Sequence, residues 1–318
     1  MKPPARIYVA GHAGLVGAAI CRALAARGFD NVITARRAEV DLRDAGAVTR
    51  FFSAEQPEYV FLAAAKVGGI LANDSYPADF IRDNLQIQTN VIDAAHRHGT
   101  RKLCFLGSSC IYPRLAPQPI TEDALLTGPL EKTNEWYAVA KIAGIKMCQA
   151  YTKQYGFNAI SIMPTNLFGP GDNFDLASSH VLPALLRKFH AAKESGERSV
   201  VVWGSGAPRR EFLYVDDLAD ATCFLMERYE SPEIINVGTG RDITIADLAV
   251  LIGKIVGFDG EIVFDSSKPD GTPRKLLAVD KLTALGWQPR TDLETGIRRT
   301  YEWYLTHRDS AAVADARG

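Results

Sequence analysis

Four short apolar runs punctuate the first third of the chain: RIYVAG (6–11), NVITA (31–35), YVFLAAA (59–65) and KLCFLGS (102–108). Each is continuous rather than alternating, the pattern of a strand covered on both faces. Between them, residues 15–27, 44–52 and 78–98 carry apolar positions at helical spacing. A longer helical stretch spans 134–155, and another strand-like run, NAISIMPTN (158–166), follows it. Strand and helix in alternation predict an α/β fold with a Rossmann-type, doubly wound parallel sheet.

The second half is less regular. SVVVWGSG (199–206) and EIVFD (261–265) read as extra strands, and HVLPALLRKFHAA (180–192) and IADLAVLIGKIVG (245–257) as helices. They predict a smaller α/β lobe that covers a ligand. On this reading residues 1–163 and 211–238 form the Rossmann domain, and 164–210 and 239–318 form the lobe. The last ten residues, DSAAVADARG, lack periodicity and are expected to fray. The opening MKPPARIYVAGHAGLVGAAI is basic and then apolar, but His12 and three glycines break the run, so it reads as strand, turn and helix rather than a leader. No apolar run is long enough to span a membrane.

Composition narrows the function classes. The 318 residues are 47% hydrophobic and 23% charged, with a net charge of −1, which argues against a nucleic-acid binder. Five cysteines, at 21, 104, 110, 148 and 223, form no CxxC pair. No disulfide framework and no metal site is expected, and a reducing cytoplasm fits.

GHAGLVG sets Gly11, Gly14 and Gly17 directly after the first strand, with Leu15 and Val16 opening the helix. Glycines at these points permit a tight turn, close backbone approach to a pyrophosphate and close helix–strand packing. The spacing differs by one residue from the usual dinucleotide fingerprint. NAD enzymes place an acidic residue at the end of the second strand; here Ala35, Arg36 and Arg37 follow it. Two guanidiniums suit a 2′-phosphate, so NADPH/NADP+ is expected rather than NAD(H). Asp41 and Leu42 are expected near the adenine, and Leu62, Ala63 and Ala64 along the cofactor trough.

YAVAK places Tyr137 and Lys141 four apart on one helix face. A nearby ammonium is expected to lower the phenol's pKa toward the working range. Ser108 ends the fourth strand. Together, Gly11/Gly14/Gly17, Ser108, Tyr137 and Lys141 resemble the extended short-chain dehydrogenase/reductases that act on nucleotide sugars. AAAKVGGILAN, LGSSCIYP, EWYAVAKIAGIK, MPTNLFGPGDNF, SSHVLPALLRKF, WGSGAPRREFLYVDD and KPDGTPRK resemble, in order, the branch that turns GDP-4-keto-6-deoxy-D-mannose into GDP-L-fucose. The likeness covers about residues 5–305.

That resemblance implies epimerisation at C3 and C5 and reduction of C4 by NADPH. It implies that Ser108 and Tyr137 hold the C4 oxygen, that Lys141 binds the nicotinamide ribose, and that Cys110 and His180 form the epimerising acid–base pair. Inverting a carbon needs a base on one face and an acid on the other, and a thiol and an imidazole supply both near neutral pH. His180, Pro164, Asn166 and Leu167 are expected at the nicotinamide end. Ser109, Arg187, Lys188, Trp203, Arg210 and Asp270 are expected on the GDP-sugar. Ala13 stands where many members carry arginine, which leaves more of the phosphate to Arg36 and Arg37. By analogy the helices near 78–98 and 134–155 pair two copies into a homodimer.

Two rivals remain at this stage. One is another nucleotide-sugar epimerase or 4,6-dehydratase with tightly held NAD; SSCIYP lacks the Asp–Glu pair expected of a dehydratase. The other is a non-catalytic NADP(H)-binding regulator, which would be expected to have lost Tyr137 or Lys141.

Overall fold

The apolar runs fold as buried parallel strands in the computed structural model, which describes residues 1–176, 178–268 and 270–314. The first half runs β1 (Ile7–Ala10), α1 (Leu15–Ala26), β2 (Val32–Ile33), α2 (Ala45–Glu55), β3 (Tyr59–Leu62), α3 (Ile70–Ser75), α4 (Pro77–Arg97), β4 (Lys102–Leu106), α5 (Glu135–Tyr155) and β5 (Ala159–Pro164). It continues through β6 (Asn166–Phe168), α6 (Val181–Ser195), β7 (Ser199–Trp203), β8 (Arg209–Tyr214), α7 (Val215–Arg228) and β9 (Ile235–Val237). The remainder is β10 (Asp242–Thr244), α8 (Ile245–Val256), β11 (Glu261–Asp265), β12 (Arg274–Lys275), α9 (Asp280–Ala284) and α10 (Leu293–Ala314).

The main sheet is parallel throughout, in the order β2-β1-β3-β4-β5-β9. The chain leaves β1 toward β2, then returns to the other side of β1 as β3. That reversal opens a crevice at the carboxyl ends of β1 and β3, where α/β sheets bind ligands. Ile20, Leu24, Leu218 and Leu225 from α1 and α7 cover one face. Phe52, Val91, Ile92 and Ile145 from α2, α4 and α5 cover the other. The second core packs α6, α8 and α10 against β8 through Leu186, Phe189, Leu248, Ile252 and Ile297.

Several expectations need correction. β2 has two half-buried residues rather than five, because it is the sheet edge and the chain turns away after Ile33. NAISIMPTN is not one strand. Thr165 donates its N–H to Val237 O at 3.0 Å, and the chain then leaves the main sheet to pair β6 with β8. β8, α7, β9, α9 and α10 were not anticipated. β8 begins RRE, a polar signature that hides a strand buried from Glu211 onward. The expected frayed tail (309–318) is helical to Ala314, and 315–318 lie outside the described residues.

One buried carboxylate ties these segments together. Glu211 in β8 is fully buried, and its Oε1 accepts the N–H of Thr239 at 2.6 Å and of Gly240 at 2.8 Å. Oε2 accepts the N–H of Leu277 at 3.0 Å. Burial raises the Glu211 pKa, and these amides only partly offset it. Glu211→Ala strands three backbone donors, of which that of Leu277 is buried, so urea unfolding should show a loss of about 2 kcal/mol, and Glu211→Gln a smaller one.

Candidate active site

The crevice is shaped by glycine sterics. Gly11 has φ +84°, and a side-chain carbon there would lie 2.7 Å from Ala64 N and 3.1 Å from the Ala63 carbonyl carbon. At Gly17 it would lie 2.0 Å from Gly11 O. These two glycines are required by the fold itself. Gly14 is different: its nearest neighbour would be Gly11 O at 3.5 Å, ordinary contact. Protein packing does not demand glycine there, which leaves close approach of a ligand as the physical reason. No side chain caps α1 at Gly14, so the amides of Leu15, Val16 and Gly17 face the crevice as an anion site. Leu62 ends β3 in the core, with Ala63 and Ala64 lining the wall beyond it.

Arg36 and Arg37 are exposed at the rim. The acidic residues beside them are occupied. Glu39 accepts the Arg36 N–H at 2.6 Å, and Asp41 pairs with Arg43 at 2.6 Å. The Arg43 hydrogen bond pulls the Asp41 carboxyl down to about 2. Leu42 packs on the core, and its carbonyl accepts from Asn90 at 2.9 Å. Arg37 Nε also lies 3.7 Å from Asp41, so the rim offers an exposed Arg36 and a loosely paired Arg37 rather than a free carboxylate, which fits a phosphorylated ribose.

Behind β4, Gly107 admits the Met163 side chain, which would lie 2.4 Å from a side-chain carbon there. The strand then gives way to a single 3-10 turn, Ser109–Ile111. Ser108 caps it by accepting the Cys110 N–H at 3.1 Å, while Ser109 is buried within the turn. Lys141 is buried beneath, donating to Leu106 O at 2.8 Å, with its Nζ 5.8 Å from the Tyr137 ring centre. Burial pulls the Lys141 ammonium down to about 7. Tyr137 departs from expectation. Burial pushes its phenol above the usual range, Cys110 adds to that, and Ser108 offsets only part. Burial thus outweighs any help from the lysine, and the phenol is raised rather than lowered as expected.

Cys110 shows a balance of opposing effects. Burial pushes the thiol up, but Lys275, Ser108 and Arg210 outweigh it, and the net shift is downward. Lys275 Nζ donates to Cys110 Sγ at 3.3 Å. His180 opens α6 with its side chain reaching solvent, and the protein crowded around it and then Lys275 lower its pKa. The same lysine therefore acts on two residues seventy positions apart. The His180 loop rests on backbone: Gly69 donates to Ser178 O at 2.9 Å, and a side-chain carbon on Gly69 would lie 2.8 Å from Ser179 O. This gives a reason for the paired glycines of KVGGILAN.

Arg210 reaches Cys110 electrostatically, and burial lowers its pKa. Lys188 lies over Trp203, Nζ to ring centre 5.0 Å, and donates to Val201 O at 3.3 Å. Arg187 donates to Phe174 O at 3.0 Å. Both Asp270 oxygens are taken by Ser205, through its N–H at 2.7 Å and its hydroxyl at 2.8 Å, so this carboxylate braces the Gly204–Gly206 turn. Asn166 is held to Glu211 O at 2.7 Å beside Pro164 and half-buried Leu167. Lys275, Glu211 and Gly69 escaped the sequence reading. Lys275 sat in view in KPDGTPRK, but its effect depends on a strand pairing that spacing does not reveal.

A model of the NAD dependent epimerase/dehydratase family matches residues 7–238. The chain belongs to that family. Within it, the chain is 61% identical over 305 residues to a putative GDP-L-fucose synthase 2 of Arabidopsis thaliana, covering 96% of this chain and 93% of the relative. It is 54% identical over 313 residues to a GDP-L-fucose synthase of Escherichia coli (strain K12), covering 96% of this chain and 98% of that one. A solved GDP-L-fucose synthetase from Naegleria fowleri bound to NADP superposes with a TM-score of 0.90 at 31% identity, covering 98% and 97% of the two chains. These likenesses set the chain in the GDP-L-fucose synthase branch of the epimerase/dehydratase family.

In this family member the other cysteines have no such activation. Burial pushes Cys148 and Cys223 up to about 12, and raises Cys104 and Cys21 as well. Limited iodoacetamide treatment at pH 7 should therefore modify Cys110 first. Peptide mapping that finds another cysteine leading would contradict this electrostatic picture.

Proposed function

We propose that the chain is an NADPH-dependent 3,5-epimerase and 4-reductase that converts GDP-4-keto-6-deoxy-D-mannose to GDP-L-fucose. The observation that carries this reading is the meeting of a ketone-holding pair, Ser108 and Tyr137, with a thiol whose proton affinity is lowered, Cys110. The relatives support the substrate. The uncapped α1 terminus, the open Gly14 and the exposed Arg36 and Arg37 support NADP(H).

The protons at C3 and C5 are both α to the C4 ketone. Removing either leaves charge on the C4 oxygen, where the Ser108 hydroxyl and Tyr137 phenol donate hydrogen bonds. Cys110 and His180 work on opposite faces of the carbon, one taking the proton and the other returning it. The bound cofactor supplies a hydride to C4. Tyr137 then protonates the C4 oxygen, and its raised pKa keeps it in the phenol form that this needs. Lys141 turns remaining N–H bonds toward the nicotinamide ribose, anchored through Leu106 O. Pro164, Asn166 and Leu167 border the nicotinamide end with His180. Lys188, Arg210 and Arg187 supply positive charge for the diphosphate, Trp203 supplies a flat face for stacking, and Ser109 and Asp270 complete the sugar and ribose contacts through the elements they brace.

In deuterated water the wild type should place two solvent deuterons on sugar carbons. Cys110→Ser should lose this exchange by about a hundredfold or more. Tyr137→Phe should lose about as much in reduction while keeping exchange. Mass spectrometry reads exchange and NADPH absorbance reads reduction; full exchange in Cys110→Ser would remove the thiol from the mechanism.

Assembly and location belong to the same proposal. α4 and α5 pack side by side, and Trp136 and Val139 leave apolar surface exposed on α5, which supports a homodimer through these helices. Sedimentation velocity at micromolar concentration should find the dimer and not the monomer. Five free thiols support a cytoplasmic setting, and among the described residues no helix is long and apolar enough to cross a membrane.

A further inference from the structure

Lys275 is held in place by its own strand pairing and by the hydrogen bonds of the two residues that follow it. β12 pairs with β8 so that Lys275 lies opposite Arg210. The next residue, Leu276, donates to Gln118 Oε1 at 2.9 Å and accepts from the Ile120 N–H at 2.7 Å. One further on, Leu277 donates to the buried Glu211 at 3.0 Å. Backbone fixed on both sides aims the Lys275 side chain into a small hollow lined by Ser109, Cys110, Asn134 and Glu131.

The ammonium has no carboxylate partner among the described residues. Glu131, which lines the same hollow, is engaged by Arg114 at 3.1 Å and by the Thr272 hydroxyl at 3.4 Å. What Lys275 does meet is the Cys110 sulfur, at 3.3 Å. We propose that Lys275 is a positioning residue for epimerisation: its ammonium holds the Cys110 sulfur as the thiolate that takes the sugar-carbon proton. This rests on the reading of Cys110 as one member of the proton-transfer pair. In the step, the thiolate takes the proton and becomes a thiol, while the C–H electron pair moves toward the C4 oxygen. Lys275 keeps its own protons throughout.

The surrounding charges favour this division. Cys110 faces Tyr137 from α5, Arg210 from β8 and Lys275 from β12, and the hollow also carries Arg114, Glu131 and Arg274. Tyr137 stays neutral as a phenol, so the ionic balance at the sulfur is set by Lys275 and Arg210, with Lys275 the larger influence. The same ammonium lowers the proton affinity of His180. A proton carried by His180 is thereby easier to release to the opposite face of the carbon.

The test compares Lys275→Met, which removes the charge and keeps the stem, with Lys275→Arg and Lys275→Gln. The rate of Cys110 alkylation by iodoacetamide is followed against pH in the free enzyme, without substrate or cofactor. Lys275→Met and Lys275→Gln should move the midpoint upward by about one pH unit or more and slow alkylation at pH 7 by about tenfold. Lys275→Arg should restore most of it. The acid limb of solvent exchange into the GDP-sugar should move up in step. Profiles that superimpose on wild type in a folded neutral variant would overturn the proposal. So would a higher KM with an unmoved alkylation profile, which would assign Lys275 to the substrate's phosphates. Absence of solvent exchange in the wild type would sink the functional reading, not the Lys275–Cys110 coupling, because alkylation needs no sugar.

Discussion

The buried carboxylate of Glu211 is the constraint on which the site depends. A charge inside a core is tolerated only when donors surround it. Here the donors are backbone amides from the turn after β9 and from the segment after β12. Satisfying Glu211 therefore fixes the relative placement of three stretches of chain. Two of them carry chemistry: Arg210 precedes Glu211 directly, and Lys275 lies two residues before Leu277. Gly238 has to be glycine for the same reason, since a side-chain carbon there would fall 2.4 Å from the carboxylate.

The catalytic chemistry is distributed according to burial. Low dielectric surroundings magnify each charge. They push Tyr137 up and Lys141 down, and they would push Cys110 up were it not for the cations beside it. One environment thus produces a phenol that keeps its proton and, within electrostatic reach of it, a thiol that gives it up. The difference lies in partners: Tyr137 has a hydroxyl beside it, and Cys110 has an ammonium.

Much of this was legible in the sequence where periodicity and local spacing carry the information. The runs at β1, β3, β4 and β5 announce a parallel sheet, and the glycine turn, Ser108 and the Tyr137–Lys141 spacing lie within single elements or their ends. What was hidden is non-local. β8 reads as polar because Arg209, Arg210 and Glu211 open it, and only pairing with β6, β10 and β12 shows why a charged residue is buried there. The direction of the Tyr137 shift was misread because helical spacing gives which residues share a face, not how deeply they are buried. That Asp270 also braces Ser205 was hidden, because the contact spans sixty-five residues.

The seat of the His180 loop on Gly69 makes one member of the site separable from the rest. The reductase half of the site is built into strand ends and a long helix, parts that cannot change without disturbing the core. The imidazole arrives instead on a loop whose anchoring depends on one missing side chain at Gly69 and a few hydrogen bonds around Ser178. A change at Gly69 can therefore displace His180 while leaving the strand ends and long helix that hold Ser108, Cys110 and Tyr137 undisturbed.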